Sequence, residues 1–404
     1  MAEIGPDGNV WVIDWYNYIV QHNPTPVGFR NGPGNAYMTD LRDKKHGRVY
    51  RITYDPHVPD SSEPNTLAGA SPAQLVKTLS SSNMFWRRHA QRLLVEAGNT
   101  DVTDALLNLL SRHQLDPIGI DVAAIHAIRV LEGLGEFRKP KVRNALLQAL
   151  SHPSNAVVRT CIEALPRDEI SLDALLKASE FTSSNSQVRL SALLALAEMP
   201  TTTGSAKQAV TSLTQNESDR WLTDAGIAAA ATNGGQFLAL ACKQTAPIAA
   251  AMLRATEITS EHVARSADGE AIELLVKALP NASPEVSKRV LNGLTKGWPK
   301  ATPIELSQET DNALVELFEG LPAGSKGQLI RLAQIWGSAK LAKNADKIAA
   351  SLLQIAGDEK TAPSARVEAS QQLMTLMSTR RQIAADLLAS STHRTPQSAA
   401  LGII

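Results

Sequence analysis

From residue 71 onward, apolar residues recur at the spacing i, i+3, i+4, i+7. Val158, Cys161, Ile162 and Leu165 follow it in "NAVVRTCIEAL", and Val188, Ala192, Ala195, Leu196 and Met199 keep to one face in "SQVRLSALLALAEM". That spacing draws one apolar stripe along each of a series of short helices. Their starts are marked as well: Ser71-Pro72 and Ser283-Pro284 each set an N-capping hydroxyl before a proline that suits the first helical turn. Before residue 60 the period changes to two. Tyr50, Ile52 and Tyr54 alternate with Val49, Arg51 and Thr53, which predicts a strand with one more polar face. Val10 to Ile13 are apolar on both faces, which predicts a strand covered on both sides.

The helical phrases repeat. Val158-Arg159 returns thirty residues later as Val188-Arg189, and related phrases begin at Phe85, Val286 and Ala365. A helix pair recurring every 30 to 40 residues or so is the mark of an α-solenoid, whose units bury their stripes against their neighbours. The ankyrin and tetratricopeptide phrases are absent, and the pattern resembles short HEAT repeats, about nine of them. The expected fold is therefore mainly α: a solenoid over 72–404, a linker over 57–71 rich in Pro, Ser and Asp, and a small β segment over 1–56. The text closes on Leu401-Gly402-Ile403-Ile404 without the polar outer face that caps solenoids, so the array is expected to continue beyond it.

Composition narrows the function classes. Forty basic and forty acidic residues cancel, so no long-range field gathers nucleic acid or anionic lipid. No apolar run is long enough to span a membrane, and the opening residues lack the order of a signal peptide. Only Cys161 and Cys242 occur, both in apolar helical phrases. They exclude a disulfide framework and any cysteine-built zinc or iron-sulfur site. All five tyrosines fall within the first 54 residues. "PDGN" at 6–9 supplies the positive φ of a tight turn into the first strand, and the Gly/Pro/Asn-rich stretch between the strands is long enough to be functional. Two strands are marginal alone, so the segment calls for further strands.

"GPDGNVWVIDWYNYIVQHNPTP" and "TDLRDKKHGRVYRITY" resemble the end of the β-propeller in the large multidomain dehydrogenase-like proteins of planctomycetes, a family also labelled putative membrane-bound dehydrogenase or heme-binding CxxCH protein. The matching phrases are the turn into the Asp14-Trp15 pair, and the inserted loop ending in Arg42-Asp43 and His46-Gly47-Arg48. The resemblance implies an exported protein, periplasmic or at the cell surface. Its propeller, akin to glucose/sorbosone dehydrogenases, oxidises a sugar or alcohol with a quinone and Ca²⁺, and a heme c domain accepts the electrons. The chain departs from it in holding one blade's worth of strands and no Cys-x-x-Cys-His, so it is expected to be a fragment without turnover and without its own cofactor.

Candidate residues gather in the same segment. Asp14, Trp15, His22, Arg42, Asp43, His46 and Arg48, with His57 and Asp40 nearby, read either as a substrate, cofactor or calcium site on loops or as a buried pair, Asp14 and Arg48, stapling two strands, with the histidines satisfying loop backbone groups. Trp11, Trp15, Tyr16 and Tyr18 read as a stacking surface or as packing between blades. No catalytic residue and no metal ligand set is assigned; "GPGNAY" fails the dinucleotide pattern. Arg87, Arg88, Arg159 and Arg189 form a ladder that either ties repeats together or binds an anion. Two functional readings follow: a scaffold fragment of a dehydrogenase-like parent, whose partners are the parent's propeller and cytochrome domains, or a self-standing HEAT-repeat binding protein whose aromatic start caps the solenoid. A lyase-type short-HEAT protein acting on a chromophore is a third, without a supporting phrase.

Overall fold

The structure is a computed structural model, and it describes residues 1–14, 27–28, 30–31, 37–38, 45–53, 66–215, 219–299, 304, 306–321 and 323–376. The chain divides into two compact units, Met1–Leu165 and Pro166–Ile404. Both are mainly helical, as the 3.6-residue period requires.

The first unit opens with strands β1 (Ala2–Ile4) and β2 (Val10–Asp14), followed by the short β3 (Arg30–Asn31) and β4 (Tyr37–Met38), then β5 (Arg48–Ile52). β2 lies between β1 and β5, antiparallel to both, with Val12 facing Ala2 on one side and Tyr50 on the other. β3 and β4 form a separate antiparallel pair. Both expected strands are present, and the segment adds β1 to their sheet and the separate pair β3 and β4, none of which periodicity revealed. The expectation that β2 is covered on both faces does not hold: Ile13 is 59 % exposed, and Val49 beside it 64 %. The strand's apolar residues lie on a three-stranded ribbon that leaves one face open here.

Three helix pairs complete this unit: α1 (Pro72–Thr78) and α2 (Met84–Ala97), α3 (Thr103–Ser111) and α4 (Val122–Gly133), α5 (Pro140–Gln148) and α6 (Asn155–Ala164). Ser71 caps α1 as expected, in a full capping box with Gln74. The apolar stripes meet in one core that includes Leu79, Leu94, Leu106, Ala127, Leu131 and Val142.

Among the described residues, the second unit holds six pairs. They are α7 (Glu169–Lys177) and α8 (Ser186–Glu198), α9 (Thr203–Gln215) and α10 (Arg220–Thr232), and α11 (Gly234–Ala241) and α12 (Ala250–Ser266). After these come α13 (Gly269–Ala278) and α14 (Pro284–Gly297), α15 (Gln308–Gly320) and α16 (Ala323–Ile335), and α17 (Ala339–Gly357) and α18 (Pro363–Leu376). Second helices pack on second helices, α8 on α10, α10 on α12 and α12 on α14. Ser283 caps α14 as expected.

The tightest junction is α12 with α14. Gly293 and Gly297, four residues apart, face the backbone of α12: a methyl group at Gly293 would lie 2.2 Å from the Glu257 carbonyl oxygen, and one at Gly297 2.3 Å from that of Glu261. Only hydrogen fits there, so the two glycines set how closely the helices approach.

One capping device occurs twice. Asn83 caps α2 and Asn185 caps α8; four residues on, Arg87 and Arg189 turn back to the Ser81 and Ser183 carbonyls at 2.6 and 2.5 Å. "SSNMFWR" and "SSNSQVR" carry it in the text.

Candidate functional site

The β segment is organised by Asp7. In the turn 5–9, the Gly5 amide donates to the Asn9 carbonyl at 2.8 Å, and Gly8 takes φ 77°. The Asp7 carboxylate accepts from the Asn9 amide and from Trp11 Nε1, both at 3.1 Å, and pairs with Arg51 Nε at 2.5 Å. Burial alone would raise the Asp7 carboxyl; the bonds from Trp11 and Asn9 and the charge of Arg51 outweigh it and hold it well below the usual carboxylate range. The signal in the sequence was an Asp-Gly turn with Trp four residues after the aspartate. It was read for its backbone alone.

Of the expected site residues, Asp14 and Arg48 are brought together, directly opposite each other at one end of the β2–β5 ladder, but the pair is not buried: Arg48 is exposed and Asp14 half-buried, because this face of the ribbon is open. Arg48 Nη1 also donates to the Tyr50 hydroxyl at 3.0 Å, on the same face. His46 is exposed just ahead of β5. Trp15, His22, Arg42 and Asp43 lie outside the described residues, as do Asp40, His57, Tyr16 and Tyr18. Trp11 lies over Gly5, so close that a methyl group on Gly5 would meet its indole. Among the described residues no group of three or more His, Cys, Asp or Glu is placed to hold a metal ion. The chain's two cysteines are buried, with Cys161 donating to the Leu146 carbonyl at 2.9 Å and burial pushing Cys242 up to about 12.

A second polar cluster lies in the first unit. His152 and Asp121 are both buried, with Nε2 and Oδ2 3.6 Å apart, and the His113 ring meets that of His152 edge-on at 4.5 Å. Asp121 Oδ1 caps α4 through the Ala124 amide. His152 Nδ1 accepts from the Ser154 amide, while Ser154 Oγ accepts from the Asp121 amide. The serine hydroxyl thus does not face the imidazole, and the three residues do not form a nucleophile, base and orienter. Burial and the neighbouring His113 outweigh Asp121 and lower His152, and the ring joins the loops leading into α4 and α6.

The arginines take structural partners. Arg87 holds the Ser81 and Ser82 carbonyls and Nε2 of His126; Arg88 meets Glu3 at 2.8 Å; Arg159 pairs with Glu163 of its own helix, which also takes Arg129 from α4 at 2.5 Å. In the second unit, equivalent ties step from helix to helix: Arg254 to Asp224, Arg289 to Glu257, Lys296 to Glu261 and Gln328 to Asn292. They favour the inter-repeat reading over an anion site.

On the same layer of second helices, Trp221 near the start of α10 is 68 % exposed, with the Arg220 guanidinium 5.6 Å from its ring centre. Leu194 of α8 and Ile258 of α12 are exposed as well. The apolar stripe Val188, Ala192, Ala195, Leu196 and Met199 leaves Leu194 off its face, in keeping with its exposure. Among the described residues, no helix is long and apolar enough to cross a membrane.

Comparison with known proteins adds little chemistry. Residues 1–56 match a family described as a domain of unknown function, DUF7133, which covers less than half of the chain. No curated protein matches. Among solved structures, the complex of CpcE and CpcF of phycocyanin lyase from Nostoc sp. PCC7120 aligns with 67 % of this chain and 100 % of its own, at 16 % identity and a TM-score of 0.33. An engineered protein aligns with 83 % of this chain and 89 % of its own, at 18 % identity and a TM-score of 0.31. Neither alignment bears on what this chain binds or does; the helical-repeat architecture stands on the helix pairs themselves.

Proposed function

We propose that the protein is a helical-repeat scaffold that binds a protein partner on the second-helix layer of its second unit. The observation that carries this reading is Trp221, a large aromatic left in water with the Arg220 guanidinium 5.6 Å from its ring centre, on a layer where Arg254–Asp224 and Arg289–Glu257 tie neighbouring helices. Tryptophan and arginine are the side chains that most often dominate protein interfaces, and single exposed aliphatic residues around them supply apolar rim rather than energy. The reading takes no step through a cofactor and assigns no turnover to the chain.

A finer proposal rests on the resemblance of residues 1–56 to a propeller blade of dehydrogenase-like proteins. In it the scaffold works in the periplasm or at the cell surface beside a sugar- or alcohol-oxidising propeller and a cytochrome domain, which carry the quinone, Ca²⁺ and heme c. Purified chain given sugars, a quinone and a dye is expected to reduce no dye; turnover would overturn the division of labour.

The scaffold reading is tested with a photo-crosslinking amino acid at position 221 in source cells, against the same probe at Ile170 of α7, which is 56 % exposed. The expected result is one discrete adduct from position 221 and none from 170, its partner identified by mass spectrometry. Equal labelling from both positions, or none from 221, would contradict it.

A further inference from the structure

The β segment is attached to the helices chiefly through two carbonyl oxygens. Asn83, 8 % exposed, donates from Nδ2 to the Gly5 and Pro6 oxygens at 3.2 and 3.0 Å; Trp86, 6 % exposed, donates from Nε1 to the Pro6 oxygen at 3.1 Å. Both lone pairs of the Pro6 carbonyl are therefore used. Glu3 and Arg88 add an exposed ion pair at 2.8 Å. Asn83 is bifunctional, because its Oδ1 accepts the Phe85 amide at 2.9 Å and caps α2. The turn arrives already shaped by the Gly5–Asn9 bond and the Asp7 carboxylate, so little ordering remains for the helix to impose.

We infer that the first turn of α2 is a receptor for a main-chain turn, and that its ligand is the Gly5-Pro6 turn of this same chain. Recognition is by carbonyl direction, with the ring of Trp86 closing the contact to water. The first residues of the DUF7133-matching segment are thereby fixed on the helical array in one orientation, and whatever restrains α2 restrains β1 and β2. The shared use of Asn83 also links the two: the residue that starts the helix is the residue that holds the turn.

Two substitutions separate these roles in the full chain. Asn83→Asp keeps the capping oxygen and removes the donors, setting a carboxylate against two carbonyls; Trp86→Phe keeps the ring and removes only the N–H. Hydrogen exchange read by mass spectrometry is expected to speed up about tenfold over residues 5–13 in Asn83→Asp and about fivefold in Trp86→Phe, the loss expected for removing such bonds. Exchange in α2 should stay within twofold of the unsubstituted protein in Trp86→Phe. Unchanged exchange over 5–13 in both variants would overturn the inference. So would equal acceleration of α2 and the turn in Trp86→Phe, since that variant leaves the cap untouched.

Discussion

The start of the chain and the α12–α14 junction are held by opposite means. Around β2, apolar side chains stay in water, and the segment is fixed by directed bonds: Asp7 to Trp11 and Arg51, Pro6 to Asn83 and Trp86. Between α12 and α14, the helices close until glycine meets backbone, and Val290, Leu291 and Leu294 are buried alongside. One region depends on donors and charge, the other on volume. The two should fail differently when residues are changed.

The largest effect is expected where volume decides. Gly293→Ala forces a methyl group against the Glu257 carbonyl and should cost about 3 kcal/mol in urea unfolding, at the upper end of overpacking. Gly320→Ala, whose added methyl meets nothing within 4 Å, should be neutral or slightly stabilising. Equal effects would erase the contrast between the glycines.

Next comes a pH effect in α2 and α4. His126 contacts Gln91 at 2.6 Å and Arg87 at 3.4 Å, and burial together with the Arg87 charge lowers it from 6.5 to about 4. The unfolded chain takes up a proton below pH 6.5 that the folded chain refuses until about pH 4. The contribution is therefore complete above 6.5 and declines as the pH falls towards 4, by up to about 3 kcal/mol. Urea midpoints at pH 7 and pH 4.5 should differ by less in His126→Gln than in the unsubstituted protein.

Asp7→Ala should cost about 1 kcal/mol, seen as faster thermolysin nicking within 1–53 while the second unit's urea transition holds. Because the Asp7 carboxyl is held below its ordinary value of 3.8, its contribution is present above that pH and lost as the pH falls through the lowered value. The smallest effect is expected from Arg92→Ala, which removes an exposed i, i+4 pair with Glu96 at 3.0 Å and should shift stability by less than about 0.5 kcal/mol.

What was legible in the sequence follows the same division. Repeating apolar spacing announces burial, so the helices, their Ser71 and Ser283 caps and the solenoid class could be read directly. The apolar run at 10–13 announced β2 and the alternation at 49–54 announced β5, while the pairing of Asp14 with Arg48 stood as one of two readings. β1 escaped because three residues with one large apolar side chain carry no period. The attachment of the turn escaped for a different reason: its acceptors are main-chain carbonyls, which every residue has, and its donors lie about 80 positions away. The Asn-Arg capping device is present as a phrase, "SSN" with arginine four residues after the asparagine, but it lies ahead of the apolar stripe and leaves no mark in the apolar spacing. Trp221 was invisible for lack of direction, since a tryptophan in a helical phrase reads as core until a neighbouring helix fails to cover it.

The most direct test of the contrast is native-state hydrogen exchange of the unsubstituted protein in rising, sub-denaturing urea. The slope of opening free energy on urea measures the surface that opening exposes. Amides of β2 and β5 are expected to open with little dependence on urea, because few buried apolar groups are released, and those of α12 and α14 with a steep one. Equal slopes in the two regions would contradict the account.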